Sequence, residues 1–274
     1  MKLQGKSLGS GPGIMVILAC IIALAGCSGG SNKLNNSTLT YTASQKAASL
    51  QMTTFCENDP ATTLQFNFAQ NIGDGAGITF GCIGFTTGTY SGNILIHYYA
   101  TLNPNNTLAK YIPALDRIDG LVKASGTKSN DTTGLDNFIN DVRNCTDSLF
   151  KKAQLYELDQ MYWNPAVAAA TNIGAKYALT LAFIYDMCVN HGDEGAQRLI
   201  DQTTAAMGGS PANGISERQW LAKCISIRSG KFPSGADRHN AFLRVLNNGN
   251  VNLSLPFSFT VYGDTCTING NVGI

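Results

Sequence analysis

The chain has 274 residues, of which 44% are hydrophobic and 14% charged, with a formal net charge of +1. That balance excludes a protein that binds nucleic acid through a basic surface, and it neither requires nor forbids a local acidic cleft. The length suffices for one large core or for two lobes.

Lys2 and Lys6 precede an uncharged apolar run over 14–25, which is too short to span a bilayer comfortably and reads as the core of a signal peptide. Leu24-Ala25-Gly26-Cys27 ends it with the small residues and the cysteine of a lipobox, so cleavage before Cys27 and a lipid on its sulfur are expected. Residues 1–26 are then the leader, 27–40 a lipidated tether rich in Ser, Gly and Asn, and 41–274 the working domain, outside the cell or at its surface. Cleavage takes two of the 19 basic residues and none of the 18 acids, leaving the mature chain formally −1.

Ala47, Leu50 and Thr54 share one side of a helix predicted over 43–55, which places Glu57 just past its C-terminal end. Helix-end carbonyls and apolar neighbours disfavour an anion there, so Glu57 is expected to stay protonated, as a general acid should. Leu64, Phe66 and Phe68 alternate, and Ile78, Phe80 and Cys82 alternate again, predicting a small hairpin or sheet with Asp74 at its tip. Gly73, Gly75 and Gly77 around Asp74 permit unusual backbone angles and the close approach of a ligand. Glu57 and Asp74 thus form a candidate acid and base pair for a glycosidic bond, although an Asp among glycines is also ordinary turn chemistry.

Helices are predicted next over 92–102, 108–124, 134–160, 174–190, 194–206, 215–228 and 238–247. One long helix, near 134–160 or 174–190, would join two lobes of a mainly helical (α+β) body with a minor sheet. Asp186 lies in an apolar run, so it is predicted buried with Arg228 or Arg238 as partner. His191, before Gly192, reads as a helix cap, and His97 and His239 have no evident partner. Tyr156, Tyr162 and Trp163 are candidates either for stacking on a sugar or for the core. Cys56, Cys82, Cys145, Cys188, Cys224 and Cys266 could form disulfides in an exported compartment. With no Cys-x-x-Cys pair a zinc site is not expected, and the pairings stay open.

Several separated motifs, in order over about residues 43–270, resemble the chitosanases of glycoside hydrolase family 46. They are Glu57-Asn58, Ile72-Gly73-Asp74-Gly75-Ala76-Gly77-Ile78-Thr79, and Gly84-Phe85-Thr86-Thr87-Gly88-Thr89. Tyr162-Trp163-Asn164-Pro165-Ala166, the run from Ile184 through Tyr185-Asp186 to His191-Gly192, and Val261-Tyr262-Gly263-Asp264 complete the set. The resemblance implies a two-lobed lysozyme-like fold and endo-hydrolysis of β-1,4 links in chitosan with inversion and no cofactor or metal. Glu57 would be the acid, Asp74 the base and Thr79 a holder of the attacking water, with the carboxyls about 6.5–9.5 Å apart.

It further implies a buried network of Asp186 and Arg238 supporting Glu57, and sugar contacts from Gly77, Thr89, Ser91 and Tyr162. Three positions depart from the family: Ala76 replaces an Arg, Ser91 replaces an Asp that grips an amine, and an expected Arg must be supplied by Lys223 or Arg228. The expected partner is chitosan, or another amino-sugar polymer such as partly acetylated chitin or peptidoglycan. A non-catalytic carbohydrate-binding lipoprotein is the remaining alternative. A monomer is expected, with membrane contact through the lipid only.

Overall fold

The computed structural model describes residues 39–58 and 60–273. The leader over 1–26, Cys27 and the tether up to residue 38 lie outside the described residues. Helix α1 (Ala43–Asn58) opens on a capping box. Thr42 Oγ1 accepts the Gln45 N–H at 3.1 Å, and Gln45 Oε1 accepts the Thr42 N–H at 2.7 Å. The helix outruns its predicted end, so Glu57 belongs to its last turn rather than to the chain beyond it.

The alternation over 64–68 does not become a strand, because local turn bonds such as Phe66 N–H to Leu64 O and Phe68 N–H to Gln65 O consume its backbone groups. Pairing is confined to β1 (Ala69–Gln70), β2 (Thr79–Phe80) and β3 (Phe85–Thr86), an antiparallel sheet in that order. Asp74 lies in the β1–β2 connection. Helices α2 (Ser91–Leu102) and α3 (Ile112–Ser125) follow as predicted, the latter ending at Gly126 in the left-handed conformation, φ 69°.

The helix predicted over 134–160 is instead α4 (Phe138–Arg143) and α5 (Ser148–Leu158). Asn67 Nδ2 donates to the carbonyls of Val142 at 3.0 Å and Cys145 at 2.6 Å, closing α4. Asp147 caps α5 by accepting the Leu149 N–H at 2.9 Å. A π-helical turn (Asp159–Trp163) leads into α6 (Asn164–Asn172). Its buried face is only Ala166 and Ala170, too faint a pattern for apolar spacing to reveal.

Helix α7 (Ala178–Met207) joins the two helices predicted over 174–190 and 194–206 through a kink at Gly192. It packs on α1, α6 and α8 (Glu217–Lys231), and α8 packs on α9 (Ala236–Asn247). A hairpin absent from the predicted elements, β4 (Phe257–Val261) with β5 (Asp264–Ile268), turns through Tyr262 and Gly263 at φ 56° and 92°. It lies against α9 and α1.

The fold is mainly helical α+β and lysozyme-like, with α2–α5 and the three-stranded sheet in one lobe and α1, α6–α9 and the hairpin in the other. Phe80, Phe85, Tyr111 and Phe138 cluster in the first core, and Phe55, Phe183, Phe242 and Phe259 in the second. Cys56, Cys82, Cys145, Cys188 and Cys224 are free thiols. Among the described residues, no helix is long and apolar enough to cross a membrane.

Candidate active site

Asp186, on the central helix α7, is fully buried and sits between two guanidiniums. Arg228 Nη1, from α8, donates to Oδ2 at 2.7 Å. Arg238, from α9, donates to Oδ1 through Nη2 at 2.7 Å and straddles both oxygens through Nε at 3.1 and 3.0 Å. Thr53 on α1 adds its hydroxyl at 3.1 Å. Burial pushes the Asp186 carboxyl up, but the two arginines outweigh it and hold the group below the usual carboxylate range.

Two cations against one carboxylate leave a positive charge over, and the group that answers it is Glu57. Arg238 Nη1 donates to Glu57 Oε1 at 2.5 Å. The Glu57 side chain is 38% exposed, so it has one oxygen in a buried charge network and a path to solvent. Arg228 also donates through Nε to His191 Nε2 at 3.0 Å and through Nη2 to Asn190 at 3.2 Å. His191 therefore serves the network from the last position before the break at Gly192. The remaining histidines have partners as well: His239 meets Ser229 at 3.2 Å and His97 meets Asp116 at 2.8 Å.

Asp74 is exposed, on a turn whose glycines 73, 75 and 77 all have φ between 74° and 82°. Its Oδ1 accepts the Ala76 N–H at 2.9 Å, so the carboxylate orders its own loop. The loop is sewn to the following turn by Gly88 N–H to Ala76 O, Thr87 N–H to Ile78 O and Ile78 N–H to Thr87 Oγ1, each 3.0 Å. A Cβ on Gly77 would collide with that Thr87 hydroxyl. Thr79, the first residue of β2, is buried, and its Oγ1 has no hydrogen-bond partner among the described residues.

A profile described as Glycosyl hydrolase family 46 matches residues 51–257, which include every one of these groups. The chain belongs to glycosyl hydrolase family 46. It is similar to a chitosanase of Bacillus subtilis (strain 168), 35% identical over 189 residues, 67% of this chain and 66% of that one. A chitosanase of Streptomyces sp. (strain N174) is 31% identical over 82% of both chains. Among solved structures, a mutant chitosanase from Bacillus subtilis MY002 complexed with 6 GlcN superposes with a TM-score of 0.73 at 29% identity, over 84% of this chain and 100% of that one. The Gynuella sunshinyii family 46 chitosanase in complex with chitotetraose gives 0.72 at 27% identity, over 83% and 98%. The chain is thus a glycoside hydrolase of the chitosanase type.

Within this family 46 chain the other predicted site residues divide. Tyr162, on the π-helical turn, is half-buried, and its hydroxyl is pushed up by burial and then by the nearby charge of Glu57. Ser91 Oγ accepts the Thr86 N–H at 3.0 Å, and Thr89 is hydrogen-bonded to the Thr86 hydroxyl, so both hold their turn together. Lys223 is exposed on α8 and is not among the Asp186 contacts; Arg228 makes them. Sequence reasoning did not single out Tyr262, which the hairpin brings near the network. It is 42% exposed at the hairpin tip, its N–H donates to Asp237, and its hydroxyl is pushed up by burial first, with the charge of Arg238 opposing. The available signal was an aromatic beside glycine in a two-residue turn, next to the run already matched to the family.

Proposed function

We propose that this family 46 hydrolase cleaves β-1,4 links inside chitosan chains with inversion, Glu57 as general acid and Asp74 as general base. The observation that carries the reading is the Glu57 carboxyl: solvent-accessible, yet gripped by a buried arginine that is itself fixed on Asp186. A general acid must present its proton along one direction, and Arg238 fixes that direction. After transfer the same guanidinium faces the carboxylate formed. Asp74, exposed and ordered by one backbone N–H, suits a group that takes a proton from water. The hydroxyl of Thr79, buried and without a hydrogen-bond partner among the described residues, can both donate and accept, which suits a group that holds such a water once substrate opens the loop.

Glucosamine hexamer digested by the full chain should give dimers to tetramers whose new ends are the α anomer. Glu57→Gln and Asp74→Asn should each lower the rate about 10²–10⁴-fold while unfolding as the wild type does. Substantial turnover in a variant would remove that residue from the chemistry.

A second reading, cleavage of a partly acetylated polymer, is favoured by Ser91, whose hydroxyl is engaged with Thr86 where an amine-gripping carboxylate was expected. Equal rates on fully and partly deacetylated chitosan would support it. The protein is further proposed to act as a monomer anchored through a lipid on Cys27; Cys27→Ser should move it from the membrane fraction to the soluble one.

A further inference from the structure

The loop that carries Asp74 reads Asn71-Ile72-Gly73-Asp74-Gly75-Ala76-Gly77-Ile78-Thr79 and contains no cation. One is delivered from 54 residues further on: Lys128 Nζ donates to the main-chain carbonyl of Asp74. Its stem passes over Gly75, where an added Cβ would lie 3.4 Å from Lys128 Cε, in van der Waals contact with it. The lysine is exposed, but its root is fixed on the downstream side. Ser129 N–H donates to Gly88 O at 3.0 Å. Arg117, from α3, forks onto Asp131 at 2.8 and 3.1 Å and reaches the Thr133 carbonyl at 2.9 Å. The same segment therefore touches the Asp74 loop through its lysine and the neighbouring turn through its backbone.

Three left-handed glycines leave the Asp74 loop with little intrinsic stiffness. The Asp74 carboxylate is tied to Ala76 N–H on one side of the Asp74–Gly75 peptide, and the Asp74 carbonyl belongs to that peptide itself. Rotating the peptide would break the lysine contact and swing the carboxylate together. We propose that Lys128 is a positioning residue for hydrolysis, clamping the Asp74 carbonyl so that the carboxylate stays aimed at the attacking water. This rests on the assignment of Asp74 as the general base.

The clamp acts on orientation and not on substrate affinity. It lines a groove of about 700 Å³ with Gly75, Leu121, Ala124 and Ser125, and a lysine there offers a cationic polymer no attraction. Replacing it should therefore lower kcat without raising KM, while the midpoint of thermal unfolding and the fraction of active enzyme stay those of the wild type.

The test is steady-state hydrolysis of glucosamine hexamer by wild type, Lys128→Met, Lys128→Arg and Asp74→Asn. Lys128→Met should lose about tenfold or more in kcat, with KM unchanged or lower, and Lys128→Arg should recover most of it. Unchanged kcat in Lys128→Met with an inactive Asp74→Asn would overturn the clamp and leave the base in place. Equal losses in Lys128→Met and Lys128→Arg would also overturn it, since the arginine keeps the charge and reach. An active Asp74→Asn would remove the base assignment and the clamp with it.

Discussion

Asp186 answers both Arg228 and Arg238 where it is fully buried from water. Removing one partner of a buried ion pair strands the other, and such losses run to about 3–5 kcal/mol. Here Arg228 would lose its carboxylate and Arg238 would keep only Glu57, so Asp186→Asn should destabilise by about that range in urea unfolding. Lys223→Ala, on the exposed side of the same helix α8, should stay within about 0.5 kcal/mol. A similar small effect for Asp186→Asn would mean that solvent reaches the arginines. The contrast follows from which residue of α8 faces α7: Arg228 lies 0% exposed against Phe183, with its guanidinium carbon 5.2 Å from the ring.

Among the elements, α7 concentrates the design, because one helix carries Asp186, Asn190 and His191 and then bends at once. Gly192 stands at φ 72°, ψ 167°, a region open in practice to glycine alone, and nothing lies within 4 Å of where a Cβ would project. Gly192→Ala should therefore cost about 1–3 kcal/mol from backbone strain with no clash to relieve. Gly208→Asn, at an ordinary left-handed helix end with φ 69°, ψ 18°, should cost clearly less. Equal costs in thermal unfolding would show that the kink relaxes.

How much of this was legible varies with range. The glycine turn, α2, α3 and the burial of Asp186 follow from local composition and spacing. The break between α4 and α5 does not, because Asn67, about 75 residues upstream, supplies the hydrogen bonds that end α4. The β4–β5 hairpin was hidden by Tyr262 at positive φ, a residue that turn chemistry does not suggest. The charge left over in the arginine network, which gives Glu57 its partner, needed four elements brought together before it could be counted.

At the scale of the whole molecule that same charge sets a limit on acid stability. Burial first, and then Arg228, push the His191 imidazole down to about 4 and that of His239 down to about 3. In the unfolded chain both titrate near about 6.5. Above that pH both states are neutral at these rings, and their contribution to stability is fully present. As the pH falls below it the unfolded chain takes up protons that the folded one refuses, so stability drops until the folded values are reached.

Asp119 and Glu157, raised by burial, work against this trend, so the slope of the wild type alone does not isolate the histidines. His191→Gln does, because a glutamine oxygen can still accept from Arg228 Nε yet binds no proton. Between about pH 6.5 and 4 its unfolding free energy should fall less steeply than that of the wild type. One proton is worth at most about 1.4 kcal/mol per pH unit, and less here because the ring is only half-buried and solvent screens it. Parallel slopes in urea titrations at several pH values would mean that His191 titrates alike in both states. The direction matters for the proposed activity, since a glucosamine polymer carries most charge in acid, where the network that orients Glu57 begins to lose its neutral neighbours.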